Sequence, residues 1–230
     1  MDQGLKPDNV TPPLIPKRRQ TPKWVIVVAV VGAVIFGSIP VCLRAFVVQP
    51  FRAGTNSMAP TIRGATKLAN GGTQAADRFF VDKLSYRFRL PRRGEIVVFR
   101  TDDISGFPNS SRVRYSVKRI VGLPSEQVSI KPPYLYINGQ RVTDPPIFET
   151  IAHAEKGYSG YVLPVTFPAP RYLALETDSV QLGEDEYFVL GDNSRSSFDS
   201  RFWGPVPRRS IVGLATKIYW PLDRIGITPE

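Results

Sequence analysis

An uninterrupted apolar run near the start of the chain restricts its possible folds more than any other feature of the sequence. From Trp24 to Leu43 there are twenty consecutive residues without a charge. A helix of that length spans about 30 Å, which matches the hydrocarbon core of a bilayer. A cleavable secretion signal would have an apolar core of only about 7–15 residues, followed by a small-residue cleavage site. The segment from Arg44 to Phe51 offers no such site. The run therefore predicts a single, uncleaved N-terminal transmembrane anchor over residues 23–44.

The segments on either side of this run indicate its orientation. The first twenty residues contain four prolines, the basic run Lys17–Arg19 and few large apolar groups, so residues 1–22 are predicted to be a disordered tail. Five basic residues precede the apolar run, and three follow it between Arg44 and Arg63. This bias places the N-terminal tail on the cis side of the membrane and residues 45–230 on the trans side.

Composition excludes several classes of site. The chain has one cysteine, Cys42, and therefore no intrachain disulfide. With a single cysteine and a single histidine, the usual zinc sites are also excluded. His153 lies in a polar stretch and is predicted to be a surface residue. The net charge of +10 is compatible with nucleic acid, an anionic membrane, acidic ligands or simply a solvated basic surface, so it does not select a partner.

Residues 45–230 are predicted to form one β-rich domain, so the fold class is mainly β. Asn138-Gly139 separates two short apolar runs, and this dipeptide favours a type I′ hairpin turn. The proline-rich stretch 144–170 is interpreted as a loop with short strands. No repeat and no long amphipathic helix follows the anchor. Other strands are predicted at Glu95–Phe99, Tyr115–Gly122, Tyr187–Leu190 and Ile211–Trp220.

Three polar segments contain candidate chemistry, although each also has an ordinary structural interpretation. Thr55–Thr61 is a polar turn of a kind that is common in proteins without any catalytic role. A lysine within a strand, such as Lys118, usually protects a sheet edge against aggregation. Gly191–Arg201 is rich in Asp and Ser, which cap backbone groups in loops. Taken singly, none of the three indicates an enzyme.

Together, the three segments resemble the sequence boxes of the type I signal peptidases, also called leader peptidases. The Ser-Met-x-Pro-Thr box matches Ser57–Thr61, and the Lys-Arg box ending in Gly-Leu-Pro matches Lys118–Pro124. The Gly-Asp-Asn box matches Gly191–Asn193 and continues in Ser197–Gly204. The boxes occur in the family's order behind a membrane anchor, and the resemblance covers most of 46–220. It implies a β-rich catalytic domain of the signal-peptidase type.

The resemblance also implies a mechanism based on a Ser–Lys dyad. Ser57 would be the nucleophile that forms an acyl-enzyme, and Lys118 would be its general base. The oxyanion hole would consist of the Ser57 backbone N–H and the Thr55 hydroxyl. Ser197 would orient the Lys118 amine. Asp199 and Arg201 would form a supporting ion pair. Met58 would contribute to a wall of the substrate pocket.

A lysine acts as a base only if its pKa falls well below the reference value of about 10.4. Burial disfavours the ammonium form and lowers the pKa by up to roughly 3–5 units. Ser116, Lys118 and Ile120 share one face of the predicted strand, because side chains alternate along it. An apolar pocket on that face would supply the necessary burial.

By resemblance, the chain removes N-terminal signal peptides from exported preproteins after small residues. Its partners would be those signal peptides and a lipid bilayer, with no nucleic acid, no metal and no cofactor, and the chain would be a monomer. A bacterial plasma membrane and a thylakoid membrane fit equally well. Segment 63–76 is interpreted as an insertion. Two alternatives remain open: a catalytically inactive, membrane-tethered binding module of the same fold, and a soluble Ser–Lys self-cleaving regulator.

Overall fold

A computed structural model describes residues 22–108, 113–163 and 169–226, and the backbone alone for 39–46. The chain divides into two compact units, residues 1–41 and 42–230. Nearly all of the predicted tail, 1–21, lies outside the described residues.

The first helix, α1, covers Lys23–Phe46 and so extends two residues beyond the predicted anchor. Nearly all of its described apolar side chains are exposed, with Phe36 at 76% and Trp24 at 67%. Among the residues whose placement is described, no helix combines the length and the apolarity required of a membrane span.

The second unit is built mainly from strands, as predicted. Its short helices are α2 (Ser85–Phe88), α3 (Ile147–Ala152) and α4 (Ser200–Trp203). Its strands in chain order are β1 (Val48–Arg52), β2 (Thr66–Lys67), β3 (Thr73–Gln74), β4 (Arg78–Asp82), β5 (Ile96–Arg100), β6 (Tyr115–Gly122), β7 (Gln127–Lys131), β8 (Tyr134–Ile137), β9 (Gln140–Arg141), β10 (Val180–Gln181), β11 (Glu186–Leu190), β12 (Val206–Pro207) and β13 (Ile211–Trp220).

The largest sheet has seven strands in the order β1-β4-β13-β5-β6-β11-β12, and its neighbouring strands are antiparallel. A second sheet has the order β10-β7-β8-β9. Strand β6 therefore lies inside the large sheet, between β5 and β11. The β-branched residues of β5 and the far end of β6 suit this position, since such residues pack well on a pleated surface.

The predicted hairpin turn is present between β8 and β9. Asn138 and Gly139 both have positive φ, 50° and 78°, as a type I′ turn requires. Ser125 also adopts a positive φ of 64°, a conformation that favours glycine.

The stretch 144–170 differs from its prediction. It contains the helix α3, and no strand occurs in its described part, 144–163 and 169–170. Phe148 and Ile151 of α3 are buried in a core cluster with the strands of the second sheet. The proline content suggested a loop, whereas the apolar spacing within 147–152 is sufficient for one and a half helical turns. His153 follows α3 and is exposed, 3.8 Å from Glu149.

Segment 63–76 forms an antiparallel hairpin of β2 and β3, with Thr66 opposite Gln74 and Lys67 opposite Thr73. The turn is closed by a hydrogen bond from Leu68 N to Gly72 O. Most of the hairpin is exposed, and its two ends are joined by a hydrogen bond from the N–H of Asp77, the residue before β4, to Arg63 O. The hairpin thus projects from the domain beside the segment that carries Ser57.

Candidate active site

The structure brings Ser57 and Lys118 together, although 61 positions separate them in sequence. Lys118 Nζ lies 2.8 Å from Ser57 Oγ and also donates to Val117 O at 3.1 Å. Both side chains are buried, since Ser57 is 7% exposed and Lys118 is 4% exposed. Strand β6 directs Lys118 towards the turn after β1, where Ser57 lies, because successive side chains of a strand point to opposite faces.

The environment of Lys118 suits a proton acceptor. Burial lowers its pKa to about 8, even though the negative charges of Asp199 and Asp192 act in the opposite direction. Arg201 also lowers this pKa. At pH 7 about one molecule in ten therefore carries the neutral amine, which has a lone pair to receive the Ser57 proton.

Thr55 lies on the other side of Ser57. Its hydroxyl donates to Ser57 Oγ at 3.2 Å, and Ser57 N donates to Thr55 Oγ1 over a long 3.4 Å. These two donors, the Thr55 hydroxyl and the Ser57 N–H, are the pair to which the family resemblance assigns the oxyanion hole. The Thr55 side chain is exposed, so its hydroxyl is free to turn from Ser57 towards a substrate oxygen.

Asp199 and Arg201 form a fully buried, bidentate ion pair. Arg201 Nε and Nη2 lie 2.8 Å from the two carboxylate oxygens of Asp199. Burial alone would raise the pKa of Asp199, but the charge and hydrogen bonds of Arg201 hold it below its usual value. Asp199 also accepts from Gly191 N, and Arg201 donates to Ser194 O. The pair therefore fixes both ends of the loop 191–201.

Ser197 and Met58 occupy positions that differ from the sequence expectation. Ser197 Oγ is buried and helps to hold the pKa of Asp199 low, but it makes no hydrogen bond of ordinary geometry with any described residue, Lys118 included. Met58 is 1% exposed and belongs to a core cluster with Phe79 and Ile96, so it does not line the cleft. The family resemblance implied a pocket wall for Met58, but its side chain points into the core, because neighbouring residues of a turn point in different directions.

Gly191 marks the closest approach of the loop 191–201 to the Ser57 segment. A methyl group on Gly191 would overlap Ser197 Oγ and the carbonyl oxygen of Ser57. Just beyond it, Asn193 N donates to Ser57 O at 3.0 Å. The loop and the nucleophile segment are therefore in main-chain contact.

A second buried ion pair, which the sequence analysis did not identify, lies on the opposite face of β6. Arg119 Nε and Nη2 donate to the Asp192 carboxylate at 2.8 and 2.7 Å. Burial opposes the charge of Arg119, yet Asp192 raises its pKa above the usual value. Thr61 donates its hydroxyl to the same carboxylate, and Tyr158 OH is 2.7 Å from Thr61 Oγ1. This network fixes the far end of the turn 57–61. Alternation along β6 indicates the face on which Arg119 lies, but it does not indicate the partner of Arg119.

A cleft of about 420 Å³ lies beside Ser57 and Lys118. Its walls are largely apolar, and Phe51 and Arg52 of the edge strand β1 belong to them. Further lining residues include Phe79, Val98, Phe107, Tyr115, Val117 and Phe198.

Comparison with known proteins identifies the family. The family model described as signal peptidase, peptidase S26, matches residues 22–220. This chain belongs to the peptidase S26 family. As a member of that family it is a serine endopeptidase, and the buried serine beside an amine is its candidate active site.

Two curated relatives, both named as signal peptidases, support this assignment. A probable signal peptidase I-2 from Synechocystis is 33% identical over 82% of this chain and 70% of its own length. A signal peptidase I from Leptolyngbya laminosa is 34% identical over 80% of this chain and 74% of its own length. A crystal structure of a signal peptidase I from Enterococcus faecalis is 28% identical and covers 56% of this chain and 98% of its own, with a TM-score of 0.39.

Proposed function

We propose that this S26 peptidase removes N-terminal signal peptides from exported preproteins through a Ser57–Lys118 dyad while anchored in a membrane by residues 23–44. The observation that carries the proposal is the 2.8 Å contact between Lys118 Nζ and Ser57 Oγ, formed where burial lowers the lysine pKa to about 8. No observation favours the inactive binding module or the soluble self-cleaving regulator.

The chemistry follows from the positions of these groups. The neutral Lys118 amine takes the proton of Ser57 Oγ as that oxygen attacks the scissile carbonyl. The carbonyl oxygen becomes an oxyanion, held by the Ser57 N–H and the Thr55 hydroxyl. Lys118 then passes its proton to the leaving amine, which departs as the new N-terminus, and leaves an ester between substrate and Ser57. The Lys118 amine, again neutral, then activates a water that hydrolyses this ester.

The cleft supports an extended substrate with small side chains before the cut. Its volume is about 420 Å³, and aromatic rings and β-branched side chains contribute to its lining. Strand β1 is an edge strand of the large sheet, so its free edge is available for pairing with an extended peptide. Backbone pairing supplies affinity, and the shallow apolar wall selects small residues.

The anchor is supported by the uncharged run from Trp24 to Leu43 and by the exposed apolar surface of α1. The helix has 24 residues, about 36 Å at 1.5 Å per residue, which exceeds the thickness of a bilayer core. We place its N-terminus on the cytoplasmic or stromal side of a bacterial plasma or thylakoid membrane. Replacing Val30 and Val34 by arginine should shift the chain out of the carbonate-resistant membrane fraction, since each central arginine costs about 2.5–3.5 kcal/mol.

The test of the dyad is cleavage of a model preprotein in detergent by the wild type, Ser57→Ala and Lys118→Ala. We expect both variants to lose activity by about 10⁴-fold or more, as removal of a nucleophile or its base does in other serine proteases. Ser196→Ala, an exposed serine that lines the same cleft, is the matched control and should retain activity. Wild-type activity in either dyad variant would refute the mechanism.

A further inference from the structure

The hairpin of β2 and β3 is rooted directly on the residues that precede the nucleophile. Gly64, at the start of the hairpin, packs against the backbone of Thr55. A methyl group on Gly64 would lie 2.6 Å from the carbonyl carbon of Thr55 and 2.7 Å from its oxygen. The hairpin root and Thr55 are thus in tight main-chain contact.

Asn56, between Thr55 and Ser57, is held by the hairpin at both ends of its side-chain amide. Its Oδ1 accepts from Gly64 N at 2.8 Å, and its Nδ2 donates to Thr66 Oγ1 at 2.8 Å. The Asn56 carbonyl oxygen accepts from Asn193 Nδ2 at 3.2 Å. The amide is therefore held in one orientation, and its residue is also tied to the loop 191–201.

The base of the hairpin is itself fixed. Asp77 accepts from Arg63 N at 2.7 Å and pairs with the buried Arg224 guanidinium at 2.9 Å. Arg224 in turn donates to Thr61 O at 2.9 Å, beyond the nucleophile. The hairpin is consequently anchored to both sides of the turn 57–61, and it contacts Asn56 from a rigid support.

We propose that Asn56 is a positioning residue through which the hairpin 63–76 sets the orientation of the Thr55 hydroxyl and the Ser57 N–H. Asn56 lies between these two oxyanion donors, so rotation of its peptide units moves both of them. The inference rests on the proposed function, because it assigns the donors their role in peptide cleavage. The hairpin acts here on the reaction rate and leaves substrate affinity unchanged.

The decisive experiment uses the full 230-residue chain in detergent and compares Thr66→Val, Thr66→Ser and Thr73→Val in preprotein cleavage. Thr66→Val removes the oxygen that accepts from Asn56, so kcat should fall about threefold to tenfold with KM unchanged, since small misalignments at a reacting centre are costly. Thr66→Ser keeps that oxygen and should restore kcat to within about twofold of wild type. Thr73→Val alters the facing strand of the same hairpin, away from Asn56, and should have no effect.

Asn56→Ala removes both amide contacts and should lower kcat about tenfold to a hundredfold, again with an unchanged KM. A rise in KM at constant kcat would overturn the proposal, because it would make the hairpin a substrate-binding surface. An equal loss in Thr66→Val and Thr73→Val, or no rescue by Thr66→Ser, would also overturn it.

Thr66 is exposed, so its variants are expected to fold, and thermal unfolding of each variant checks this. The Ser57→Ala variant distinguishes failure of the proposed function from failure of the role proposed for Asn56. If Ser57→Ala remained active, the proposed function would fail. If Ser57→Ala were inactive while Asn56→Ala and Thr66→Val matched wild type, only the role of Asn56 would fail.

Discussion

The two faces of strand β6 carry neighbouring buried cations with opposite properties. Lys118 contacts a serine hydroxyl and a carbonyl, with no carboxylate of the described residues in hydrogen-bond contact, and burial lowers its pKa to about 8. Arg119 is equally buried but makes two hydrogen bonds to Asp192, which raise its pKa. Desolvation is common to both, so the direct carboxylate partner decides the outcome. One face of the strand therefore holds a lysine with a lowered pKa, and the other holds an arginine in a buried ion pair.

The largest effect should come from replacing Lys118 by arginine, the cation found on the opposite face of β6. Lys118→Arg keeps the positive charge, but a guanidinium does not deprotonate in proteins. We expect a loss of kcat of about 10⁴-fold or more, equal to that of Lys118→Ala. Preprotein cleavage measures it, and substantial activity in the arginine variant would show that charge alone is required of this residue.

Breaking the ion pair on the other face should reduce stability. Arg119→Met leaves the Asp192 carboxylate buried without its cation, which costs about 3–5 kcal/mol. Denaturant unfolding followed by tryptophan fluorescence measures the change. The matched control is Arg141→Met, which breaks the exposed Arg141–Glu149 pair and should cost less than about 1 kcal/mol. Equal losses in the two variants would remove the distinction between buried and exposed pairs.

Removing the Lys118 cation should increase the stability of the domain, whereas breaking the Arg119 ion pair should reduce it. Because the pKa of Lys118 falls from 10.5 to about 8 on folding, its charge opposes folding at neutral pH. Lys118→Met should therefore stabilise the domain by about 3 kcal/mol at pH 7.

The stability difference between Lys118→Met and the wild type should decrease as the pH rises above 8. Between pH 8 and 10.5 the unfolded state binds more protons at Lys118 than the folded state does. The free energy of unfolding of the wild type therefore rises with pH relative to that of Lys118→Met. The advantage of Lys118→Met should accordingly shrink across this window. A destabilised methionine variant, or an advantage independent of pH, would contradict the assignment of an unpaired buried charge.

The smallest predicted effect is the pH dependence of the reaction itself. Below pH 8 the fraction of neutral Lys118 falls tenfold per unit, and kcat/KM should fall with it, levelling off above pH 8. A limb centred well away from pH 8 would instead indicate that a group other than Lys118 is the general base. Initial rates of preprotein cleavage across pH 6–10 distinguish the two.

Features determined by local chemistry were predictable from the sequence. The alternation of side chains along Tyr115–Gly122 was sufficient to assign Lys118 and Arg119 to opposite faces of the strand. Asn138-Gly139 specified its turn because few residues tolerate positive φ at two successive positions. The segment 144–170 was misjudged because its proline content obscured the short apolar pattern of α3.

The features that sequence did not reveal depend on pairing between distant segments. Arg119 and Asp192 are 73 positions apart, and nothing local to either residue indicates its partner. The family resemblance implied that Met58 lines the pocket, yet its side chain joins the core with Phe79. Ser197 was expected to bond Lys118, whereas the structure gives it no such bond among the described residues. In each case the direction of a side chain, and not its place in the chain, determines its contact.

Gly191 has a consequence for the precision of the dyad. The nucleophile segment and the loop 191–201 touch there through main-chain atoms, because Gly191 contributes no side chain to separate them. Backbones lack the rotameric freedom that makes side-chain contacts fluctuate. At Gly191 there is thus no intervening side chain whose change of rotamer could alter the separation of these two segments.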